Sequence, residues 1–600
     1  MEKTFVGFDL ETQGDEPLYA LQPFRASVGR AKITSFALWS EKDGLISSGL
    51  NPRPGELSEE LARVYTREGN IIVGWNVLFD LSFVLAAGIP LPQNISIIDA
   101  QVLRRLVLNS PQQRERGFWS LKRAVQEEFP EHADYAKDVD FGRTDEALLR
   151  YNELDAKFTA LLARHYYEKL NDCERRCAQI RCAELVAIAS ALVRGIPLDE
   201  AAIATAIEEK NREVLGILAE CDVPAETLRS PQRLRALLDN LGVRVDSTDK
   251  RTLAKHSSND LIRKIQRARE AANEISKVLS PARNTLEYTQ TGAAHPHFRL
   301  WNSYTGRCGY SSTLEGSNGK RKVSVHLSPP LHQIKRNLRK IIVAPKGMAI
   351  VECDYNAQES RLLAALSRDP TLQKLFAENK DFHAYMGAQI ASWDYATMVG
   401  KLHAGDEEAK RYRTLGKIAN LSLAYRTSAE TLCEVARTNY GVEMSTDEAR
   451  RLHGLFRLSY PAVPNYWRAQ IRSARSRGFV ETISGARCYL EYSADDDRAW
   501  GLDQTAINYP VQGSGADLKF AALALIMPYV RQAGGQFFFE LHDALFFLFP
   551  EDRAREAGIK LKELFNEIDY SETFGFSHVR GIHFPIEAKV GPAWGEMKAI

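Results

Sequence analysis

The sequence predicts a multidomain chain of the α/β and α+β classes, and three observations carry that prediction. With 600 residues the chain exceeds the size at which one hydrophobic core stops growing, and its 44% apolar content can fill several. Strand-like and helix-like runs alternate up to about residue 170, as an α/β domain requires. Helical periodicity then dominates two long stretches, 171–285 and 357–475, with strand-like runs around and after the second.

In chain order, the opening TFVGFDLET (4–12) alternates with period two, and Ala31–Ser40 (AKITSFALWS) and Asn70–Trp75 (NIIVGW) follow as strands before a helix. The stretch 171–285 is rich in Arg, Lys, Glu, Leu and Ala, is broken at Ser230-Pro231, and can reach out as an arm. Residues 291–350 are loop-rich and polar, ending in the apolar run Met348–Cys353 (MAIVEC) that delivers Asp354. After the helical stretch 357–475, turn and strand signals return at Gly478–Leu490. A last strand pair, Gly535–Glu540 and Ala544–Phe549, brackets Leu541-His542-Asp543. There is no internal repeat and no low-complexity segment.

Lys plus Arg (78) nearly balances Asp plus Glu (77), so bulk charge does not advertise nucleic-acid binding. Local clusters at Lys320-Arg321-Lys322, Lys335–Lys340 and Lys410–Lys417 could contact phosphates, although such clusters are more often solvated faces. The eight cysteines lack CxxC spacing, which argues against a disulfide framework or zinc ribbon, and Cys173, Cys177 and Cys182 read as helix-packing residues. No apolar signal core and no membrane span are present, so the expectation is a soluble cytoplasmic protein without membrane contact.

Two sets of carboxylates look built to hold divalent metals. Asp9 and Glu11 are two apart on a strand, so both point to one face and one ion could bridge them. Asp80 closes Asn76-Val-Leu-Phe-Asp80 at a helix start. Tyr151 and Asp155, four apart in Tyr151-Asn-Glu-Leu-Asp155, share one helical face. In the C-terminal half, Asp354 begins DYNAQESR and Asp543 sits between apolar strands, where a carboxylate is costly unless ionically paired. Between them Arg413, Lys417, Leu421 and Tyr425 recur every four residues. That stripe drifts about 40° per step over roughly 18 Å and would suit a nucleotide, with phosphates on the cations and base or sugar near Leu421 and Tyr425.

The first set resembles the DnaQ-like 3′-5′ proofreading exonuclease attached to family A DNA polymerases. By that resemblance Asp9, Glu11, Asp80 and Asp155 would ligate two metals and Tyr151 would orient the attacking water. Two ions about 3.5–4 Å apart would activate water and stabilise the leaving 3′ oxygen. The second set resembles motifs A and C of the same family, bacterial DNA polymerase I-like and of phage type, and RTLGKIANLSLAY (413–425), with Asn420, resembles its fingers helix. Thr305-Gly306-Arg307, His383 in Asp381-Phe-His, Tyr460-Pro461, Gly478–Arg487 and Asn508-Tyr-Pro-Val-Gln512-Gly513 extend the likeness over nearly the whole chain.

The resemblance implies an RNase H-like exonuclease domain (1–170) followed by a right-hand polymerase. The thumb and connecting helices would span 171–290, the palm 291–382 and 486–600, and the fingers 383–485. Asp354 and Asp543 would hold two Mg²⁺, as would the exonuclease set, with Mn²⁺ able to substitute. Arg413, Lys417, Leu421 and Tyr425 would bind the nucleotide, and His383 would meet the departing pyrophosphate. Glu359 would hydrogen-bond Tyr425 and exclude a ribose 2′-OH. Arg307, Asn508, Gln512 and His542 would touch DNA, through minor-groove acceptors that test pair shape rather than sequence. The implied partners are primer-template DNA and deoxynucleoside triphosphates, then a replisome helicase or primase, for a monomeric enzyme.

Four positions depart from the bacterial pattern: Leu421 replaces an aromatic, Arg426 a glycine, Ala544 a glutamate, and Gln504 a common arginine. The chain begins almost at the Asp9 motif, so the sequence predicts no 5′-nuclease domain, and the compact layout suggests a phage or phage-derived replicative enzyme in a bacterial host. The competing readings are a single-subunit RNA polymerase, against which Glu359 and the proofreading set speak, and a DNA-binding scaffold with a degraded polymerase site, motivated by Leu421, Arg426 and Ala544.

Overall fold

The computed structural model describes residues 3–92, 95–113, 115–137, 139–240, 242–256, 259–318, 321–493 and 499–600. Strand β1 (Thr4–Gly14) is the centre of a five-stranded sheet with β2 (Ala31–Ser40), β3 (Gly44–Leu50), β4 (Asn70–Gly74) and β5 (Ile97–Asp99), in the order β3-β2-β1-β4-β5. β1 pairs antiparallel with β2 and parallel with β4. Expected strands β1, β2 and β4 form; β3 and β5 went unpredicted, because GLISSGL carries two glycines and β5 is three residues long.

Helix α1 (Leu78–Ala86) and the 24-residue α2 (Glu146–Lys169), N-capped by Asp145 accepting from Leu148 N, accompany this sheet. Gly7 lets α2 press onto β1: a Cβ there would lie 1.9 Å from the carbonyl oxygen of Ala156. α3 (Asp172–Cys182) then starts at a capping box formed by Asn171 and Glu174. Of the three cysteines expected to pack, Cys177 and Cys182 are buried but Cys173 is exposed, since it sits in the first turn of α3 on the solvent side.

The expected arm is two long helices, α4 (Glu200–Cys221) and α5 (Asp260–Glu274), packed together. The short helices between them gather Leu218, Leu234, Leu238, Leu253, Ile262 and Ile265 into a separate small core. The stretch expected to be loop-rich contains a hairpin instead, Thr313–Asn318 against Arg321–His326. Its polar composition hid it, because neither strand has an apolar face of useful length. Lys320, part of the first basic cluster, lies outside the described residues.

The second large sheet is antiparallel, in the order β7-β8-β6-β9-β10, with β6 (Met348–Tyr355), β7 (Gln536–Leu541), β8 (Ala544–Pro550), β9 (Ile586–Gly591) and β10 (Lys598–Ala599). β6 is covered on both faces and reads as a nearly continuous apolar run. α6 (Gln358–Ser367) leaves it directly. A helical block follows, including α7 (Phe382–Ala391), α8 (Glu407–Leu423), α9 (Ala429–Tyr440), α10 (Thr446–Ser459) and α11 (Val463–Arg477).

The 34-residue α12 (Ala499–Gln532) returns the chain to the sheet. It was not anticipated. Pro510 and Pro528 lie inside it, and it is buried on nearly every side through its middle, so no amphipathic stripe announces it. Ser514 donates its hydroxyl to the Pro510 carbonyl one turn earlier. Among the described residues no helix is long and apolar enough to cross a membrane.

Candidate active sites

The N-terminal site forms where β1 faces α2. Asp9, Glu11 and Asp155 bring one carboxylate oxygen each to within 4.8 Å of one another. Asp9 accepts a hydrogen bond from Asn152 Nδ2 at 2.6 Å, and Ser35 Oγ donates to Asn152 Oδ1 at 3.1 Å, which fixes the amide. Asp155 accepts from Tyr135 at 2.5 Å and also from Tyr151. Asp80 is buried on α1 beside the trio rather than in it, with one oxygen accepting from Leu10 N at 3.2 Å.

Burial raises all four acids, and neighbouring carboxylates add to it at Asp9, Glu11 and Asp80. Asp9 stands well above the usual carboxylate range through burial, then through the charges of Asp155, Asp80 and Glu11. Burial and Asp155 push Glu11 up to about 8, with Lys122 opposing, and burial pushes Asp155 up to about 6. Burial likewise holds Asp80 high. Acids held this close, two of them half-buried and Asp155 buried, need cation charge to ionise together, so the donor set fits divalent metal. The phenols of Tyr135 and Tyr151 are pushed upward by burial and Asp155, so they stay protonated donors.

Two contributors here escaped the sequence reading. Tyr135 comes from a polar loop without periodicity, and its ring stacks on Tyr151 with centroids 5.9 Å apart. Asp99, buried at the end of β5, accepts from the backbone of Asn76, Val77 and Gln101. It thereby holds the turn at Asn76 (φ +62°) from which α1 presents Asp80.

The C-terminal site lies at the end of β6, the central strand of the second sheet, beside the β7–β8 turn. Asp354 pairs in register with Ala544, so Asp543 in the β7–β8 turn stands next to it. The turn is tight: Leu541 pairs with Ala544, and His542 adopts φ +55°. Lys519 on α12 braces it from behind, donating to the His542 carbonyl at 2.9 Å while ion-paired with buried Glu540. Burial first, and the Asp543 charge second, push Asp354 up to about 6. Burial lowers His542, whose ring lies 5.4 Å from that of His332.

Glu359, in the first turn of α6, joins this end of the sheet to the helical block. It accepts from Tyr425 OH at 2.6 Å and from Arg307 at 2.5 Å. The helix carrying Arg413, Lys417 and Leu421 ends at Leu423, so Tyr425 is not the fourth member of one helical stripe as the spacing predicts. It sits in the turn beyond, where Arg426 takes φ +60° in place of glycine. α8 is pressed onto α7 at Gly416, where a Cβ would come within 2.3 Å of the His383 carbonyl oxygen.

That approach brings Asn420 Nδ2 to His383 Nδ1 at 3.3 Å and Arg413 to Asp381 at 2.7 Å. Burial, aided by Arg413 and Lys417 and opposed by Asp381, pushes His383 down to about 4, so it is neutral at pH 7. Lys417 and Leu421 are exposed, Leu421 at 43%. On α12, Asn508 Oδ1 is buried without a hydrogen-bond partner, and Gln512 is half-buried one turn later. Gly513 permits contact with Thr482 and with the Thr305 carbonyl, and Arg181 donates to the Gly306 carbonyl at 2.8 Å while paired with Asp517. The second basic cluster is partly spent internally, since Lys335 pairs with Glu270 and Glu274. In the third, Lys410 pairs with Glu407.

Residues 201–596 match the family model described as DNA polymerase family A. The chain is 28% identical over 376 residues to the thermostable DNA polymerase I of Thermus filiformis, covering 61% of this chain and 41% of that protein. It is 24% identical over 561 residues to DNA polymerase I of Aquifex aeolicus, 89% of each, and 24% identical over 347 residues to the DNA polymerase of Bacillus phage SP01, 57% of this chain and 36% of that one. Against the Thermus relative, then, it spans about two fifths of the length. The solved polymerase domain of Pol1 from M. smegmatis, in complex with DNA primer-template and dNTP, superimposes with a TM-score of 0.72 at 19% identity, over 98% of this chain and 96% of that one. At that identity the likeness is one of fold.

Proposed function

The chain belongs to DNA polymerase family A, and from that premise we propose that it is a DNA-templated DNA polymerase that also carries a 3′-5′ proofreading exonuclease acting on the same primer end. The observation that carries the polymerase reading is the continuity Asp543, Asp354, Glu359, Tyr425: a carboxylate pair at the end of the central strands, with Glu359, five residues past Asp354, bonded to Tyr425 in the turn that follows the cationic helix. The exonuclease reading rests on the convergence of Asp9, Glu11 and Asp155.

In this reading residues 1–170 are the exonuclease domain, 171–290 the thumb, 291–382 and 486–600 the palm, and 383–485 the fingers. Asp354 and Asp543 would hold two Mg²⁺, as would Asp9, Glu11, Asp80 and Asp155, and such ions supply activation of the attacking oxygen and neutralisation of phosphate charge. Arg413 and Lys417 would take the triphosphate, Arg413 by giving up its pair with Asp381. Neutral His383, whose Nδ1 faces the Asn420 amide, would donate a hydrogen bond from Nε2–H to the departing pyrophosphate. Glu359, held by two donors, would occupy the space a ribose 2′-OH needs. Arg307, Asn508, Gln512 and His542 would line the primer-template path, and the unpartnered Asn508 oxygen would find its hydrogen bond there. In the other site Tyr151 would orient the attacking water, with Tyr135 beside it.

Primer extension with Mg²⁺, with and without deoxynucleotides, tests both activities. Asp354→Ala should abolish lengthening and spare shortening, and Asp9→Ala the reverse. Lengthening that survives Asp354→Ala would defeat the polymerase assignment; shortening that survives Asp9→Ala would defeat the exonuclease one.

A further inference from the structure

The turn that carries Asp543 is held by two groups outside both proposed sets of site residues. Lys519 on α12 and Glu540 on β7 are 3% and 4% exposed, and the ammonium of one is ion-paired with the carboxylate of the other. The same ammonium donates to the His542 carbonyl oxygen at 2.9 Å. The second Glu540 oxygen, Oε1, is buried without a hydrogen-bond partner among the described residues. As a source of stability this is a poor arrangement. Desolvation consumes most of the attraction within a buried pair, apolar side chains of similar volume often serve as well, and an unbonded carboxylate oxygen adds to the cost. What the pair does supply is direction.

Direction is what the turn requires. Leu541 pairs with Ala544, so His542 and Asp543 alone make the reversal, and His542 takes φ +55°. Glycine adopts that conformation freely, whereas a residue with a Cβ keeps it only where the surroundings impose it. The Lys519 ammonium imposes it from the carbonyl side, and Glu540 keeps the ammonium from swinging away.

The pair also joins segments proposed to touch DNA. Asn508, Gln512 and Lys519 are spaced by four and seven residues, which puts them on one stripe of α12. The Glu540 N–H donates to Tyr310 OH at 3.2 Å, and Tyr310 lies three residues beyond Arg307. The Arg307 segment, the Gln512 face of α12 and the His542 turn therefore meet at one buried ion pair beside Asp543.

We propose that Lys519 is a positioning residue for nucleotide addition: held by Glu540, it fixes the backbone at His542 and thereby the direction of the Asp543 carboxylate relative to Asp354. This inference rests on the polymerase reading above. Mg²⁺ demands near-ideal octahedral geometry, so a small swing of one carboxylate would be felt in the reaction.

The test uses the full chain carrying Asp9→Ala, so that the primer is not shortened. Lys519→Met together with Glu540→Gln removes both charges at nearly constant volume and leaves no buried charge alone. The first measurement needs no metal: in hydrogen–deuterium exchange with EDTA, amides of residues 541–545 should exchange about tenfold faster or more, as the loss of a charge-assisted hydrogen bond implies, while the rest of β7 and β8 keeps its protection. The second is single-turnover addition of one deoxynucleotide. Its maximal rate should fall by about tenfold or more, and the Mg²⁺ concentration giving half that rate should rise. Nucleotide affinity, primer-template affinity in EDTA and the melting midpoint should not change.

Unchanged exchange at the turn, or an unchanged rate and Mg²⁺ requirement, overturns the proposal. So does a double variant that melts well below the starting protein and loses rate and DNA affinity together, which would make the pair a support of the fold at large. Failure of the starting protein to extend the primer would instead defeat the polymerase reading, and the exchange measurement would still decide whether Lys519 holds the turn.

Discussion

Glu11→Gln should stabilise the metal-free protein at pH 8 while destroying its response to Mg²⁺. Burial and the Asp155 charge push Glu11 from an ordinary value of 4.5 up to about 8. The folded state therefore holds a proton that the unfolded chain releases above pH 4.5. Stability is full below that pH and declines as pH rises toward 8, the reverse of the usual salt-bridged acid. At about 1.4 kcal/mol for each pH unit, the interval of about 3.5 units bounds the effect at about 5 kcal/mol. Because Asp9 and Asp155 share the repulsion, about 2 kcal/mol is the expected share of Glu11 alone. With the proposed exonuclease domain taken as the unfolding unit, this corresponds to roughly 4–8 °C in midpoint temperature. Thermal unfolding followed in EDTA at pH 5 and pH 8 measures it, with Mg²⁺ added at each pH. The variant should gain on the starting protein only at pH 8, and only without metal. A variant less stable than the starting protein at pH 8 in EDTA, or a gain equal at both pH values, would refute the account of the site as a repelling cluster.

Three further outcomes follow from other contacts. Glu359→Gln removes the charge that binds Tyr425 and Arg307, interactions worth about 1.5–3 kcal/mol each, and should relax discrimination against ribonucleotides by about tenfold or more; unchanged deoxy-to-ribo incorporation ratios would exclude the role. Leu421→Tyr should relax discrimination against dideoxynucleotides, because a ring at this 43% exposed position can stack where an aliphatic side chain cannot; equal ratios in the two proteins would sink the idea. Arg181→Met leaves the buried Asp517 with Ser484 and Cys177 as its partners among the described residues and should cost about 3–5 kcal/mol, largely recovered by adding Asp517→Leu; a double variant as unstable as the single, in a thermal or denaturant melt, would show that the pair does not act as an ionic unit.

What could be read without coordinates was local and periodic. Asp9 and Glu11 share a face because strand side chains alternate, and β1 realises that alternation. Asp354 and Asp543 stood out because a carboxylate flanked by apolar strands needs a reason to be there, and their strands are neighbours. Tyr425 was legible as an identity but not as a helical position, since the turn at Arg426 breaks the four-residue spacing. Tyr135 could not have been found: it reaches Asp155 from a loop, and no period links residues 135 and 155. α12 was invisible for the opposite reason, being so thoroughly buried that its apolar residues mark no face.

The amino-acid order by itself therefore determined the Asp9/Glu11 and Tyr151/Asp155 pairs, the cationic helix and the strands that deliver Asp354 and Asp543, because strand and helix geometry convert spacings of two to four residues into a shared face and an apolar run into a strand. Tertiary structure alone decided what those groups meet. Asp99 props the turn before Asp80, Lys519 props the turn before Asp543, and Arg426 leans on Trp500 across more than seventy residues of chain. Such partners are chosen by burial, where an unpaired charge or amide is expensive and any group within reach of it is drawn in, whatever its place in the sequence.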